Sequence, residues 1–333
     1  DQAEKIWHCS NLFKIESQQI VADKITKYSF AKSVFFCNSG TEAVEAGVKV
    51  VRKYFNDKNK KKYKIICAKN SFHGRTYAAI SASGKSKLTE GFEPVLKGFK
   101  QVDFNETKQI LKSIDNETAA IMIETVQGEG GITPAKKDYL RDLQKIANDN
   151  DILLFFDEVQ CGVGRTGKFL ATEWVKELNP NLVAIAKGIG GGFPIGALLL
   201  DNKTTKSMPQ GSHGSTFGGN PLAMAVANEV LNFVLNEDFL DHIREVGFNL
   251  RKLIKEEIIA KFPKLVSGVR GIGLMIGIEA IENNEILIRS LMNEKLLTVK
   301  AGQNVIRMLP PLILEMKHVD EAIQKIDKAF SKL

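Results

Sequence analysis

The 333 residues hold only four cysteines, Cys9, Cys37, Cys67 and Cys161, each standing alone with no pair at CxxC spacing. That argues against a disulfide framework or a thiolate zinc site and points to a reducing, cytoplasmic compartment. The five histidines are scattered too, so no metal is expected. No apolar run approaches the roughly 18 residues that suggest a membrane span, and residues 1–20 lack the pattern of a signal peptide. Low-complexity linkers and internal repeats are missing as well. The net charge of +7 is spread over many lysines, densest at residues 58–64, with no aromatics interleaved. Nucleic acid is therefore not an expected partner, whereas anionic small molecules suit the charge.

What remains is an ordinary globular composition, 44% hydrophobic and 26% charged, in a chain longer than one small core. It centres on residues 181–200, NLVAIAKGIGGGFPIGALLL. An apolar, strand-like run over 182–186 delivers Lys187, and Gly188 and the triplet Gly190, Gly191 and Gly192 follow. A lysine at the end of a buried strand, before a glycine loop, has two functional uses. It can grip a phosphate, or it can lose its proton and attack a carbonyl to form a Schiff base. A solvated lysine opening an ordinary loop is the third reading.

Apolar runs predict strands at 33–37, 64–68, 119–124 and 152–156, with helices at 17–28, 43–55 and 139–150. This alternation predicts a mostly parallel sheet covered by helices. Ligands of such sheets lie beyond the carboxyl ends of the strands, where Glu124, Asp157 and Lys187 all stand. Ser39, Gly40 and Thr41 open a helix, which makes either an anion site or a plain N-cap. Phe72, Gly74 and Arg75 offer a flat ring and a cation for a carboxylate, while His73 alone reads as a structural histidine. Residues 162–167, GVGRTG, match GxGxxG formally. However, residues 157–161 separate them from their strand and no clear helix follows, so a dinucleotide fingerprint is not expected.

Downstream, helices are predicted at 221–235, 239–262, 286–294 and 319–333, paired or bulged strands within 269–280, and a strand at 305–308 carrying Arg307. The parallel rhythm has become α+β. The predicted division is an N-terminal segment 1–16, a large domain 17–238 and a small C-terminal domain 239–333. Trp7 and His8 are expected at the end of a helix.

These features share one need, a cofactor with a phosphate, a flat cationic ring and an aldehyde, as in pyridoxal 5′-phosphate (PLP). Lys187 would bond the aldehyde, Asp157 would pair with the pyridine nitrogen, Phe72 would stack on the ring, and the helix start at Gly40 and Thr41 would hold the phosphate. The stretches NSGTEA, NSFHGRT, ETVQGEGG, FFDEVQCGVGRTG, AKGIGGGFPIGA, GSTFGGNP and VIRMLPPL run in order from Asn38 to Leu312. They resemble the class III PLP-dependent aminotransferases of fold type I, and among these the acetylornithine branch. The fold implied is α/β, a large domain with a mostly parallel sheet plus a smaller α+β C-terminal domain.

The resemblance implies Lys187 as Schiff-base lysine and proton shuttle, Asp157 on the ring nitrogen and Gln160 on the ring hydroxyl. Ser39, Gly40 and Thr41 would bind phosphate, with Thr216 reaching the phosphate of the neighbouring subunit. Phe72 and Val159 would pack on the ring faces. Arg75 and Arg307 would bind substrate carboxylates, and Glu129 would pair with an arginine when a mono-carboxylate is bound. Glu124 would be a structural carboxylate or one that supports the residues touching the cofactor. It further implies a homodimer with active sites at the subunit interface. The reaction implied is transfer of the δ-amino group of N-acetylornithine to 2-oxoglutarate, giving N-acetylglutamate 5-semialdehyde and glutamate. Alternatives are ornithine, succinylornithine or GABA as amino donor, a PLP aminomutase, a nicotinamide dehydrogenase resting on residues 162–167, and a catalytically silent binding protein. Thr125 stands where the family commonly has proline, and Cys161 where it has threonine. The several tens of residues that the family carries before the tryptophan–histidine stretch have no counterpart, so either an incomplete or a short chain is expected, the latter with activity in doubt.

Overall fold

The computed structural model describes residues 1–333. Seven strands form the larger sheet: β1 (Ser33–Cys37), β2 (Lys64–Ala68), β3 (Phe99–Val102), β4 (Thr118–Glu124), β5 (Leu153–Asp157), β6 (Leu182–Ile185) and β7 (Gly196–Leu200). Their spatial order is β1-β7-β6-β5-β4-β2-β3. β7 runs antiparallel to both of its neighbours, and every other pairing is parallel.

Successive residues of a strand face opposite sides of the sheet. Ile121, Ile123, Leu154, Phe156, Val183 and Ile185 pack in one core with helices α1 (Glu16–Lys27), α3 (Lys137–Asp149) and α4 (Pro221–Val234). Ala120, Met122, Leu153, Phe155, Leu182 and Ala184 pack on the other face against α2 (Gly40–Asn56). Because both faces are covered, the strands read in sequence as unbroken apolar runs rather than as alternating ones.

A second sheet has strands β8 (Val266–Ile272), β9 (Met275–Ala280), β10 (Val299–Ala301) and β11 (Val305–Met308), in the order β8-β9-β11-β10 and antiparallel throughout. Ile276, Ile278 and Ile306 of this sheet share a core with α5 (Glu237–Leu253), α6 (Asn284–Asn293) and α7 (Met316–Phe330). No helix is long and apolar enough to cross a membrane.

Several elements depart from the sequence expectation. α2 starts earlier than 43 because Ser39 caps it, its Oγ accepting the Glu42 N–H at 3.2 Å. The helix predicted over 239–262 is α5 continued by a wider, π-helical section at Ile254–Ile259. β3 and β10 are short edge strands with interspersed lysines, too weakly patterned to stand out. Trp7 and His8 lie in irregular chain beyond a single turn at Gln2–Glu4, with Trp7 Nε1 donating to the Ala3 carbonyl at 2.6 Å.

Candidate active site

The carboxyl ends of β1, β2, β4, β5 and β6 open on one rim, and the residues that follow them line a cavity of about 350 Å³. β1 delivers Ser39, Gly40 and Thr41, and β2 delivers Phe72, His73 and Gly74. β4 ends in Glu124 and leads to Glu129, β5 ends in Asp157 and leads to Val159 and Gln160, and β6 leads to Lys187. Two glycines allow these segments to converge. A Cβ on Gly40 would lie 2.5 Å from Val159 Cγ1, and one on Gly74, at φ 126°, would lie 2.3 Å from Thr41 Oγ1. The wall therefore holds the opening turn of a helix, where backbone N–H groups lack intrahelical partners and suit an anion.

Lys187 takes φ 45°, an uncommon conformation for a residue with a side chain. The strained backbone at the cavity edge is of the kind that persists where the surrounding fold fixes a functional group. Asp157 is 3% exposed. Its Oδ1 accepts the Val159 N–H at 3.0 Å, and its Oδ2 pairs with Nδ1 of buried His73 at 2.7 Å. Burial alone would lower the His73 pKa. The hydrogen bond and charge of Asp157, helped by Glu124, outweigh it and hold the imidazole above its ordinary value. Nδ1 thus carries a proton toward Asp157, while the buried Nε2 has no partner.

Glu124 lies opposite Asp157 in the parallel register. Burial raises its carboxyl to about 7, with His73 pulling it down and Asp157 pushing it up. Glu158 is likewise raised to about 7 by burial. It accepts the N–H groups of Ala171 and Thr172 at 2.5 and 2.7 Å and the Thr125 hydroxyl at 3.2 Å. The residue at 125 thereby contributes a donor that a proline there would lack.

From the second sheet, Arg307 on β11 forms an ion pair with Glu129, and its Nη1 also donates to Gln160 Oε1 at 3.3 Å. A Cβ on Gly128 would lie 2.0 Å from Gln160 Oε1, so glycine leaves room for that contact. Of the predicted residues, Ser39, Gly40, Thr41, Phe72, Glu129, Asp157, Val159, Gln160 and Lys187 share one cavity wall. Arg307 joins them through Glu129. Arg75 and Thr216 are exposed and outside that wall, with the Arg75 guanidinium 5.4 Å from the Phe72 ring centroid. His73 is the residue whose place sequence reasoning missed. Its partner lies 84 positions away, and nothing local announces the pair. The donor set fits a group that offers an anion to a helix start, a flat ring to Phe72 and Val159, and a carbonyl carbon to an amine.

The profile of the family described as Aminotransferase class-III matches residues 1–330. An acetylornithine aminotransferase from Brucella melitensis is 43% identical over 333 residues, which is all of this chain and 82% of that protein. The crystal structure of N-acetylornithine aminotransferase from Stenotrophomonas maltophilia superposes with a TM-score of 0.86 at 33% identity, covering 99% of this chain and 84% of the other. An ornithine aminotransferase structure from Toxoplasma gondii, with PLP at partial occupancy in its active site, gives 0.92 at 29% identity, covering 99% and 79%. A match of this extent, in a chain whose lysine, aspartate and capped helix start meet at one sheet rim, means that the protein belongs to the class-III aminotransferases.

Proposed function

We propose that this chain is a PLP-dependent aminotransferase that moves the δ-amino group of N-acetylornithine to 2-oxoglutarate, giving N-acetylglutamate 5-semialdehyde and glutamate, a step of arginine biosynthesis. The observation that carries the reading is the single cavity shared by Lys187, Asp157 and the Ser39–Thr41 helix start, with the Arg307–Glu129 pair at its edge. When bound, PLP supplies a cationic ring that draws electrons from the carbon losing its proton. Asp157 keeps that ring nitrogen protonated, and His73 holds Asp157 in place. Ser39, Gly40 and Thr41 take the phosphate, Phe72 and Val159 the ring faces, and Gln160 the ring hydroxyl. The Lys187 amine would hold the aldehyde carbon, and when free it would be the group at the cavity edge that takes up and gives back the proton of the amine-bearing carbon.

Arg75 grips the α-carboxylate of the donor, so that the δ-amine meets the ring. Arg307 receives the second carboxylate of 2-oxoglutarate, and Glu129 covers Arg307 when the donor lacks one. We divide the chain into a segment 1–16, a large domain 17–238 and a small domain 239–333. We further propose a homodimer in which Thr216 of each copy reaches the phosphate site of the other. Its exposure, outside the wall of its own chain's cavity, suits that role. A solution mass of one chain would remove the dimer from the reading.

The direct test is Lys187→Ala. Turnover and the absorption band of the lysine–cofactor linkage should both vanish, and a variant that transaminates at the wild-type rate defeats the mechanism. The likeness to the Toxoplasma gondii ornithine aminotransferase favours ornithine as the second candidate donor. Rates with N-acetylornithine, ornithine and GABA separate the donors, N-acetylornithine being expected to give the highest kcat/KM.

A further inference from the structure

Glu124, 5% exposed at the end of β4, uses its two oxygens separately. Oε2 accepts the Phe72 N–H at 3.1 Å and Oε1 accepts the Gly128 N–H at 3.2 Å. Phe72 lies in the loop after β2, and the residue beside it, His73, is bonded to Asp157. Gly128 lies in the loop after β4, and the residue beside it, Glu129, is paired with Arg307. One carboxylate therefore touches the backbone on both sides of the cavity. We propose that Glu124 is a positioning residue that fixes the loop carrying Phe72 and the loop carrying Glu129 to one another, so that the ring-binding and carboxylate-selecting sides of the site move as a unit.

Both amides face the buried Glu124 carboxyl, where leaving either N–H without an acceptor is unfavourable. Gln127 Nε2 also reaches across to the Lys69 carbonyl at 2.8 Å. The two segments thus stay neighbours without Glu124, and what Glu124 adds is control of the backbone at Phe72 and Gly128. The competing role is electrostatic, a buried acid that merely balances His73. Length separates the two. Glu124→Asp keeps the acid but is one methylene too short to span both amides, while Glu124→Met keeps the length and removes both acceptors.

The proposal rests on the roles given above to Phe72 and Glu129, but its first readout needs no turnover. Hydrogen exchange is followed by mass spectrometry on the full chain with PLP added, for wild type and both variants. In Glu124→Met the segments 70–76 and 126–131 should exchange faster together, by about tenfold, with β4 and β5 unchanged. Glu124→Asp should fail to restore wild-type exchange in both. Loosening of one segment alone, of neither, or full rescue by Asp overturns the proposal. Should Met prevent folding, the Asp variant decides alone.

The second readout is kinetic. A loosened Glu129 weakens the closed pair with Arg307, which only the mono-carboxylate donor requires. The KM for N-acetylornithine should therefore rise about fivefold while the KM for 2-oxoglutarate stays within about twofold, and kcat should fall as the loop of Phe72 and His73 loosens. An equal rise in both KM values counts against the proposal. A wild-type chain that does not transaminate at all would sink the proposed function and leave the exchange result standing.

Discussion

Glu124 and Glu158 are held as acids near neutrality, because burial raises each from an ordinary 4.5 to about 7. The sign of the consequence follows from proton counting. Between about pH 4.5 and 7 the folded chain keeps protons that the unfolded chain has released, so stability falls as pH rises, by up to about 1.4 kcal/mol per pH unit for each such carboxyl. His73, also raised, adds in the same direction, since the stability of its pairing with Asp157 is lost as pH climbs through its folded value. Urea unfolding across pH 5 to 8 should show this decline. Glu158→Gln should flatten it by the share of one proton, even though the amide can accept only one of the two N–H groups now bound and is less stable throughout. A slope identical to wild type would mean that Glu158 is ionised in the fold. The same residues show what could and could not be read from sequence at this scale. Asp157 and Lys187 were legible because strand ends are. The pairing of His73 with Asp157 was not, since it exists only after β2 and β5 are brought into one sheet.

At the scale of elements, Gly47 on α2 illustrates how packing overrides local preference. An alanine suits a helix interior better than glycine by about 1 kcal/mol. Here its Cβ would fall 2.3 Å from Cζ of Phe155, a fully buried ring on β5. Overfilling a packed core costs about 1–3 kcal/mol, so Gly47→Ala should lower the unfolding free energy by about 1 kcal/mol net. Phe155→Leu in the same chain should recover part of that loss, which a double-mutant cycle measures. A more stable single variant would show that α2 can lift off the sheet without cost. The elements that sequence made visible are those whose surroundings are uniform. Strands β4 to β6 are covered on both faces and read as apolar runs, and α3 shows its buried Leu140, Leu143 and Ile146 at helical spacing. β7 escaped because it is entered through Gly196 and reverses direction, whereas strand–helix alternation anticipates only parallel neighbours. Gly196 itself is needed there, since a Cβ would lie 2.2 Å from the Ser39 carbonyl oxygen.

At the scale of the whole molecule, one of the places where the second sheet meets the first half of the chain is the stretch that superficially matched a nucleotide loop. Residues 162–167 are a run of turns, and Arg165 reaches from them into the second half of the chain. Its Nη1 donates to the carbonyls of Leu274 and Pro310 at 3.1 and 2.5 Å, while its own carbonyl accepts the Leu274 N–H at 3.0 Å. Arg244 on α5 answers with a hydrogen bond to the Gly167 carbonyl at 2.5 Å. The glycines of this motif thus serve a joint. Burial lowers Arg165 to about 10, so it stays cationic at neutral pH. Replacing it with leucine fills the space but leaves the two carbonyls without that donor, at a cost of about 2–4 kcal/mol. The loss falls on the contact between the sheets and not inside either core. Arg165→Leu should therefore let the second sheet open first. Calorimetry should show a broadened or divided transition, and amides of β8, β9 and β11 should exchange faster while those of β4 and β5 keep their rates. Because Arg307 sits on β11, the same variant should weaken its pairing with Glu129 and raise the KM for the amino donor. One sharp transition at the wild-type midpoint, with exchange unchanged in both sheets, would show that the joint lies elsewhere.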